Sequence, residues 1–235
     1  NRFGPVELRW GMRFARSILS APFMALISDL PLFPLGVVLY PRERMPLHIF
    51  EPRYKEMIRY CLDEEKPFGI VLFSDGRVAD VGCLATVYRI LNEYPDGRMD
   101  ILVQGEERFR IRQIGQERAY LTAEVEKVDE PHEPLQRDLK ERAITQHMKL
   151  LELAGRTVRP SLYQDVTEIS FVLAHNAGLT LRQKQEVLEL LGENARIAYL
   201  VDHFENLLPL VEQREDVKRK IQSNGHFKDF PPEIE

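Results

Sequence analysis

The feature that most restricts the fold is a change of hydrophobic period midway along the chain. Up to about residue 128, apolar residues alternate with polar ones or stand in short continuous runs, as strands require. Beyond about residue 135 they recur at three and four, as one face of a helix requires. Between them lies "DEPHEP" (residues 129–134), a polar linker bounded by proline. The pattern predicts an α+β chain in which a β-rich domain over 26–128 precedes a helical domain over 135–222, with a tail over 223–235.

Within the first half, "LPLFPLGVVLYPRERMPLHIFEPRYKEMIRYCL" (residues 30–62) is laced with proline. Residues 30–40 predict a strand, with the prolines confining pairing to its ends and edges. "PLHIF" predicts a second short strand. Then Tyr54, Met57, Ile58, Cys61 and Leu62 fall at i, i+3, i+4, i+7 and i+8, one helix face running to about residue 65. Pro52 suits the first helical position, where its missing N–H is not needed. "FGIVLF" predicts a strand buried on both faces, "SDGR" a turn and "VGCLATVYRIL" a long strand. "MDILVQG", "RFRIRQI" and "YLTAEVEKV" predict three more, for six or seven in all.

In the second half, Leu135, Leu139, Ala143, Leu150, Leu151 and Ala154 mark a helix ending at Gly155. "DVTE" and "TLRQ" each match a capping box. Gly178 and Gly192 follow the next two helices as C-terminal caps. The last helix begins near Asn194 and buries Ile197, Leu200, Val201, Phe204 and Leu208; Pro209 is expected to kink or interrupt it.

Charge and motifs restrict function next. With 32 basic and 37 acidic residues the net charge is −5, which argues against a general affinity for polyanions. Cys61 and Cys83 are the two cysteines, and both read as buried, reduced thiols of a cytoplasmic protein. No apolar run reaches the roughly 18 residues of a membrane span. The six histidines are scattered without zinc-ligand spacing, and the sequence holds no phosphate-binding loop, dinucleotide fingerprint or nucleophile elbow. No cofactor, metal or catalytic residue is therefore assigned. His48 reads as a strand histidine holding a turn, in preference to a base beside Glu51. Glu51 and Arg53 read as a local polar network at the helix start, in preference to a grip on a carboxylate ligand. Arg108, Arg110 and Arg112 form a basic stripe that, with Tyr88 and Tyr94, offers nucleic acid a face; a solvated strand face is preferred. Residues 1–25 are set apart as an N-terminal extension. "MRFARSILSAPFMA" has the look of a weak targeting peptide, and a start-site artefact with Met24 as the natural start is preferred.

The segments "LPLFPLGVVLYP", "MPLHIFEPRYKEMIRYCL", "FGIVLF", "VGCLATV", "DGRMDILVQGEERFRI" and "YLTAEV" together resemble the N-terminal substrate-binding domain of Lon proteases, in order and spacing, over roughly residues 28–215. "PLHIFEPRY" followed by G-x-x-R-F is the most specific part; the motif residues of the resemblance are Pro34 in the first segment and His48, Glu51, Pro52, Arg53 and Tyr54 in this one. Arg42 departs from the pattern, standing where the family commonly has glycine. Neither the nucleotide-binding nor the Ser–Lys protease part of Lon is matched, so the likeness is to the stand-alone Lon-domain proteins. The resemblance implies a PUA-like pseudo-barrel with one helix, followed by a helical bundle. It implies a non-enzymatic module that binds exposed apolar or unfolded polypeptide, with Leu32, Phe33, Tyr40 and Phe50 as the candidate contact surface. RNA binding through the barrel and a small hydrolase are the alternatives. Oligomeric state and partner identity are left open.

Overall fold

The structure, a computed structural model, describes residues 26–164 and 166–224, with side chains to residue 216. The expectations for residues 1–25, for Asp165 and for the end of the tail lie outside the described residues. The chain divides into two compact units between Asp129 and Glu130.

Among the described residues the first unit has seven strands and one helix: β1 (Leu26–Leu35), β2 (Arg44–Ile49), α1 (Pro52–Asp63), β3 (Phe68–Ser74), β4 (Arg77–Val78), β5 (Val81–Glu93), β6 (Met99–Gly115) and β7 (Thr122–Lys127). Its neighbours run β1-β7-β6-β5-β3, and β3 pairs back onto β1, so the sheet closes on itself. The closing pair is parallel, with Leu32 opposite Gly69 and Leu35 opposite Leu72. All the other pairs are antiparallel. "MDILVQG" and "RFRIRQI", expected as two strands, are one continuous strand. Its first half pairs with β2 and its second with β7.

Gly105 marks the change of partner along β6. A Cβ there would stand 2.2 Å from the Tyr40 carbonyl oxygen, so only glycine lets the two backbones meet. Opposite it the Arg42 N–H donates to the Gly105 carbonyl (2.7 Å), and the Gly105 N–H donates to that of Glu43 (2.8 Å). Two residues thus face one, a β-bulge. Arg42 opens it at φ 63°, the left-handed region where glycine is at ease and a Cβ is strained. Counting by twos from Glu43, the backbone groups of Met45, Leu47 and Ile49 face β6, and those of Arg44, Pro46 and His48 face the free edge. Among the described residues β2 pairs with β6 alone. Pro46 therefore removes a donor from the exposed edge, which discourages pairing with another chain.

Two apolar clusters lie on the two faces of this sheet. One gathers Phe33, Phe68, Ile70, Met99, Ile101 and Val103 under Tyr54, Met57, Ile58 and Cys61 of α1. The other gathers Leu30, Leu32, Val71, Leu84, Phe109, Ala123 and Val125. With cores on both sides, Phe68 to Leu72 is buried at every position. The hairpin after it turns through Asp75 and Gly76, both at positive φ, as its right-handed twist requires. Burial pushes the Cys61 thiol up to about 12 and raises that of Cys83 as well; both cysteines are free.

The second unit holds α2 (Arg137–Leu153), a short 3-10 turn (Pro160–Tyr163), α3 (Ile169–His175), α4 (Leu181–Glu189) and α5 (Glu193–Asn224). The Thr180–Gln183 capping box forms at α4. α3 begins at Ile169, and its N-cap residue Glu168 makes no side-chain cap hydrogen bond. Glu193 of α5 supplies the acceptors instead: Ser170 donates to it through N–H (2.8 Å) and Oγ (2.6 Å). The Arg196 side chain, 1% exposed, binds Glu193 (2.9 Å) and Glu130 (2.7 Å) and lies over the Phe171 ring. Pro209 does not end α5. It lies on the exposed side of the helix, where water can satisfy the carbonyl that it leaves open. No helix among the described residues is long and apolar enough to cross a membrane.

Two tests follow from the packing. Arg42→Gly relieves the left-handed strain and should raise stability by about 1 kcal/mol in urea unfolding; a lower midpoint would contradict the strained bulge. His147 of α2 is fully buried, with Nδ1 2.9 Å from the Tyr163 hydroxyl. Burial, with a smaller effect from Arg156, depresses its pKa from 6.5 to about 4. The unfolded chain therefore takes up a proton first on acidification. The stabilisation is complete above about pH 6.5 and should fall by about 3 kcal/mol as pH drops to 4. A His147→Gln variant should lack that component, and identical pH slopes for the two proteins would refute it.

Candidate functional site

Parallel pairing brings the C-terminal ends of β1 and β3 to the same end of the barrel, where β6 also ends and β7 begins. An open cleft of about 430 Å³ lies there, a size in the range of small-molecule and side-chain pockets. Pro34 of β1, Arg53 and Tyr54 from the start of α1, Phe73 of β3, Val78 of β4 and, from the loop after β6, Gln116, Arg118, Ala119, Tyr120 and Leu121 line it. Each is placed by the fold rather than by its neighbours in sequence. Pro52 is the first residue of α1, and the Glu51 carbonyl accepts from the N–H groups of Tyr54 (3.0 Å) and Lys55 (2.9 Å). That fixes the direction in which Arg53 and Tyr54 leave the helix. Phe73 is the last large residue of a buried strand, and 48% of it is exposed.

The cleft is apolar with cationic margins. The Arg53 guanidinium lies 4.6 Å from the Tyr54 ring centre and pairs with Glu51 at 2.8 Å. Arg118 donates to the Tyr120 hydroxyl (3.0 Å) and to Asp29 (2.6 Å), and its guanidinium sits 4.7 Å from the Tyr60 ring centre. Burial raises the pKa of Tyr54 and of Tyr120, against the opposing pull of Arg53 and Arg118, so both stay neutral. The hydrogen bond to Tyr120, and then the one to Asp29, holds Arg118 protonated. The lining thus offers apolar surface, two guanidinium groups, two neutral hydroxyls and an amide. These bind and orient; none is a general base or an activated nucleophile. Among the described residues no group of three His, Cys, Asp or Glu is placed to hold a metal ion.

The residues expected from the sequence to meet a partner divide sharply. Leu32, Phe33 and Tyr40 are core residues, each 5% exposed or less, and a partner cannot touch them on the folded chain. For Leu32 and Phe33 the reason is that β1 is paired on both edges and covered on both faces, with Phe33 packed 4.2 Å from the Tyr54 ring; Tyr40 is buried where its backbone meets Gly105. Phe50 is exposed, but it stacks on His48 away from the cleft lining. Of the motif residues, Pro34, Arg53 and Tyr54 line the cleft. Glu51 closes on Arg53, and His48 meets Asp100 at 2.6 Å, with Tyr94 donating to the same carboxylate (2.8 Å). Only part of the basic stripe is exposed: Arg108 is buried, and the half-exposed Arg112 pairs with Glu126 at 2.5 Å. Sequence reasoning missed Phe73, Gln116, Arg118 and Tyr120. The one local signal was the phenylalanine ending "FGIVLF" directly before a turn.

Comparison with known proteins agrees with this architecture. A family model, the ATP-dependent protease La (LON) substrate-binding domain, matches residues 29–206. The Lon protease of Escherichia coli is 26% identical over 210 residues, covering 83% of this chain and 27% of that protein. The Lon protease of Flavobacterium johnsoniae is 26% identical over 213 residues, covering 83% and 26%. The chain spans about a quarter of the length of these curated relatives. A Lon N-terminal domain protein from Xanthomonas campestris shares the fold at a TM-score of 0.60 and 24% identity, over 75% of this chain and 98% of that one. The N-terminal domain of a Mycobacterium avium complex Lon protease does so at 0.57 and 20%, over 76% and 99%. With most of its length matched by one family model, the chain belongs to the LON substrate-binding domain family.

Proposed function

We propose that the chain is a non-enzymatic module that holds exposed apolar or unfolded polypeptide in the cleft at the end of its barrel. The observation that carries this reading is a half-exposed Phe73 facing Pro34 and Tyr54 across an open cleft, in a chain of a substrate-binding family. A single exposed apolar side chain is ordinary; what sets Phe73 apart is its place in a concave lining beside Pro34, Val78 and Leu121. One apolar side chain seated there gains about 1.5 to 3 kcal/mol from burial. Ordering a flexible partner opposes this, so contacts along neighbouring residues must add to it, and affinities on the order of micromolar are expected. In this reading the β-rich domain over 26–128 carries the contact and the helical domain over 135–222 is a second body. The two free, buried cysteines support action in a reducing compartment such as the cytoplasm.

The test is a titration of a fluorescent unfolded polypeptide against wild type, Phe73→Ser and Phe50→Ser. Saturable binding is expected, weakened roughly tenfold by Phe73→Ser, a loss of about 1.4 kcal/mol. Phe50→Ser should bind like wild type. No ATP hydrolysis or casein cleavage should accompany binding. Absence of saturable binding, or dependence on Phe50 in place of Phe73, would overturn the reading.

A further inference from the structure

We infer that the cleft selects among apolar segments for those carrying a carboxylate beside the apolar side chain; this rests on the polypeptide-binding reading above. The lining has an asymmetric charge. Arg53 and Arg118 both line the cleft, while no aspartate or glutamate does; Glu117, between Gln116 and Arg118, is exposed and outside the lining. Their counter-charges, Glu51 and Asp29, stand outside the lining. The Arg53–Glu51 pair is exposed on both sides, at 51% and 39% of the side chains. Such a pair is screened by water, contributes little and exchanges readily for another carboxylate. Arg118 is held differently. Tyr120, Asp29 and the Tyr60 ring fix the plane of its guanidinium, so little freedom is lost when a ligand binds. Each guanidinium spends only part of its fan of N–H donors on these partners and keeps others for a ligand.

The occupant these groups fit is an extended segment with an aromatic or aliphatic side chain against Phe73 and Tyr54 and an aspartate, a glutamate or a C-terminal carboxylate beside it. A lysine or arginine in that place would meet two like charges. Two effects limit the preference. Glu51, Asp29 and the exposed Glu117 already offset part of the local field, and the net charge of −5 repels acidic chains at a distance. At about 0.1 M salt, interactions beyond roughly 10 Å are screened, so the distant repulsion fades and the contact in the cleft decides.

The experiment uses three fluorescent peptides that share one central phenylalanine and differ only in its flanks, which are glutamate, glutamine or lysine. At about 0.1 M salt the glutamate peptide should bind roughly tenfold tighter than the glutamine peptide, with the lysine peptide weakest. Arg53→Glu and Arg118→Gln should each bring the glutamate-to-glutamine ratio close to one, while Phe50→Ser, outside the lining, keeps the wild-type ratio. Arg53 lies at an exposed helix start, so its variant keeps the test decisive if loss of Arg118 loosens its loop. Equal binding of all three peptides, tighter binding of the lysine peptide, or a preference that survives both substitutions would overturn the inference and leave the polypeptide reading standing. Binding of none would overturn that reading and the inference with it.

Discussion

The parallel pairing of β1 with β3 is the constraint on which the β-rich unit depends. It converts an antiparallel meander into a closed sheet, and closure removes the edges that β1 and β3 would otherwise expose. A parallel pair needs a long crossover, and here β2 and α1 provide it, with α1 covering one face of the seam. The seam tolerates no side chain at Gly69. A Cβ there would stand 2.6 Å from the Phe109 ring and 2.9 Å from a Leu32 methyl, and Gly82 makes room for the same ring. Because both strands run the same way, Pro34 and Phe73 arrive at one end together. The cleft is therefore a consequence of how the barrel closes.

The helical unit is organised by a buried charge in place of a seam. Arg196 brings together Glu130 from the linker, Ser170 of α3, Glu193 of its own helix and the Leu190 carbonyl. A guanidinium removed from water is tolerable only because so many acceptors surround it. Removing one partner would strand a charge, so these residues act as one unit. The same network caps α3, which is too short to hold its own start.

How much of this was legible in the sequence depended on whether the signal was local. The α1 helix was legible because Tyr54, Met57, Ile58 and Cys61 repeat at helical spacing, and all four are buried. So were the Asp75–Gly76 turn and the Thr180 cap, where a few adjacent residues determine the backbone. Leu32 and Phe33 read as contact surface because an apolar run does not say whether its second face is covered. In β1 it is, by cluster packing that only the tertiary fold reveals. The part Glu193 plays at the start of α3 was illegible because it comes from a helix further along the chain. The cleft was illegible for a similar reason. It draws on β1, α1, β3, β4 and the β6–β7 loop, and no window of sequence contains its pattern.

The central claim is that Phe73 and its neighbours form the surface that polypeptide touches. Placing the photocrosslinker benzoylphenylalanine at position 73, and in a separate protein at position 50, tests it most directly. Both sites are exposed, at 48% and 58%, so simple accessibility slightly favours position 50. Irradiation with unfolded casein should give a strong adduct from position 73, competed away by excess unlabelled casein, and little from position 50. Equal adducts from the two positions, or an adduct from position 50 alone, would contradict the account.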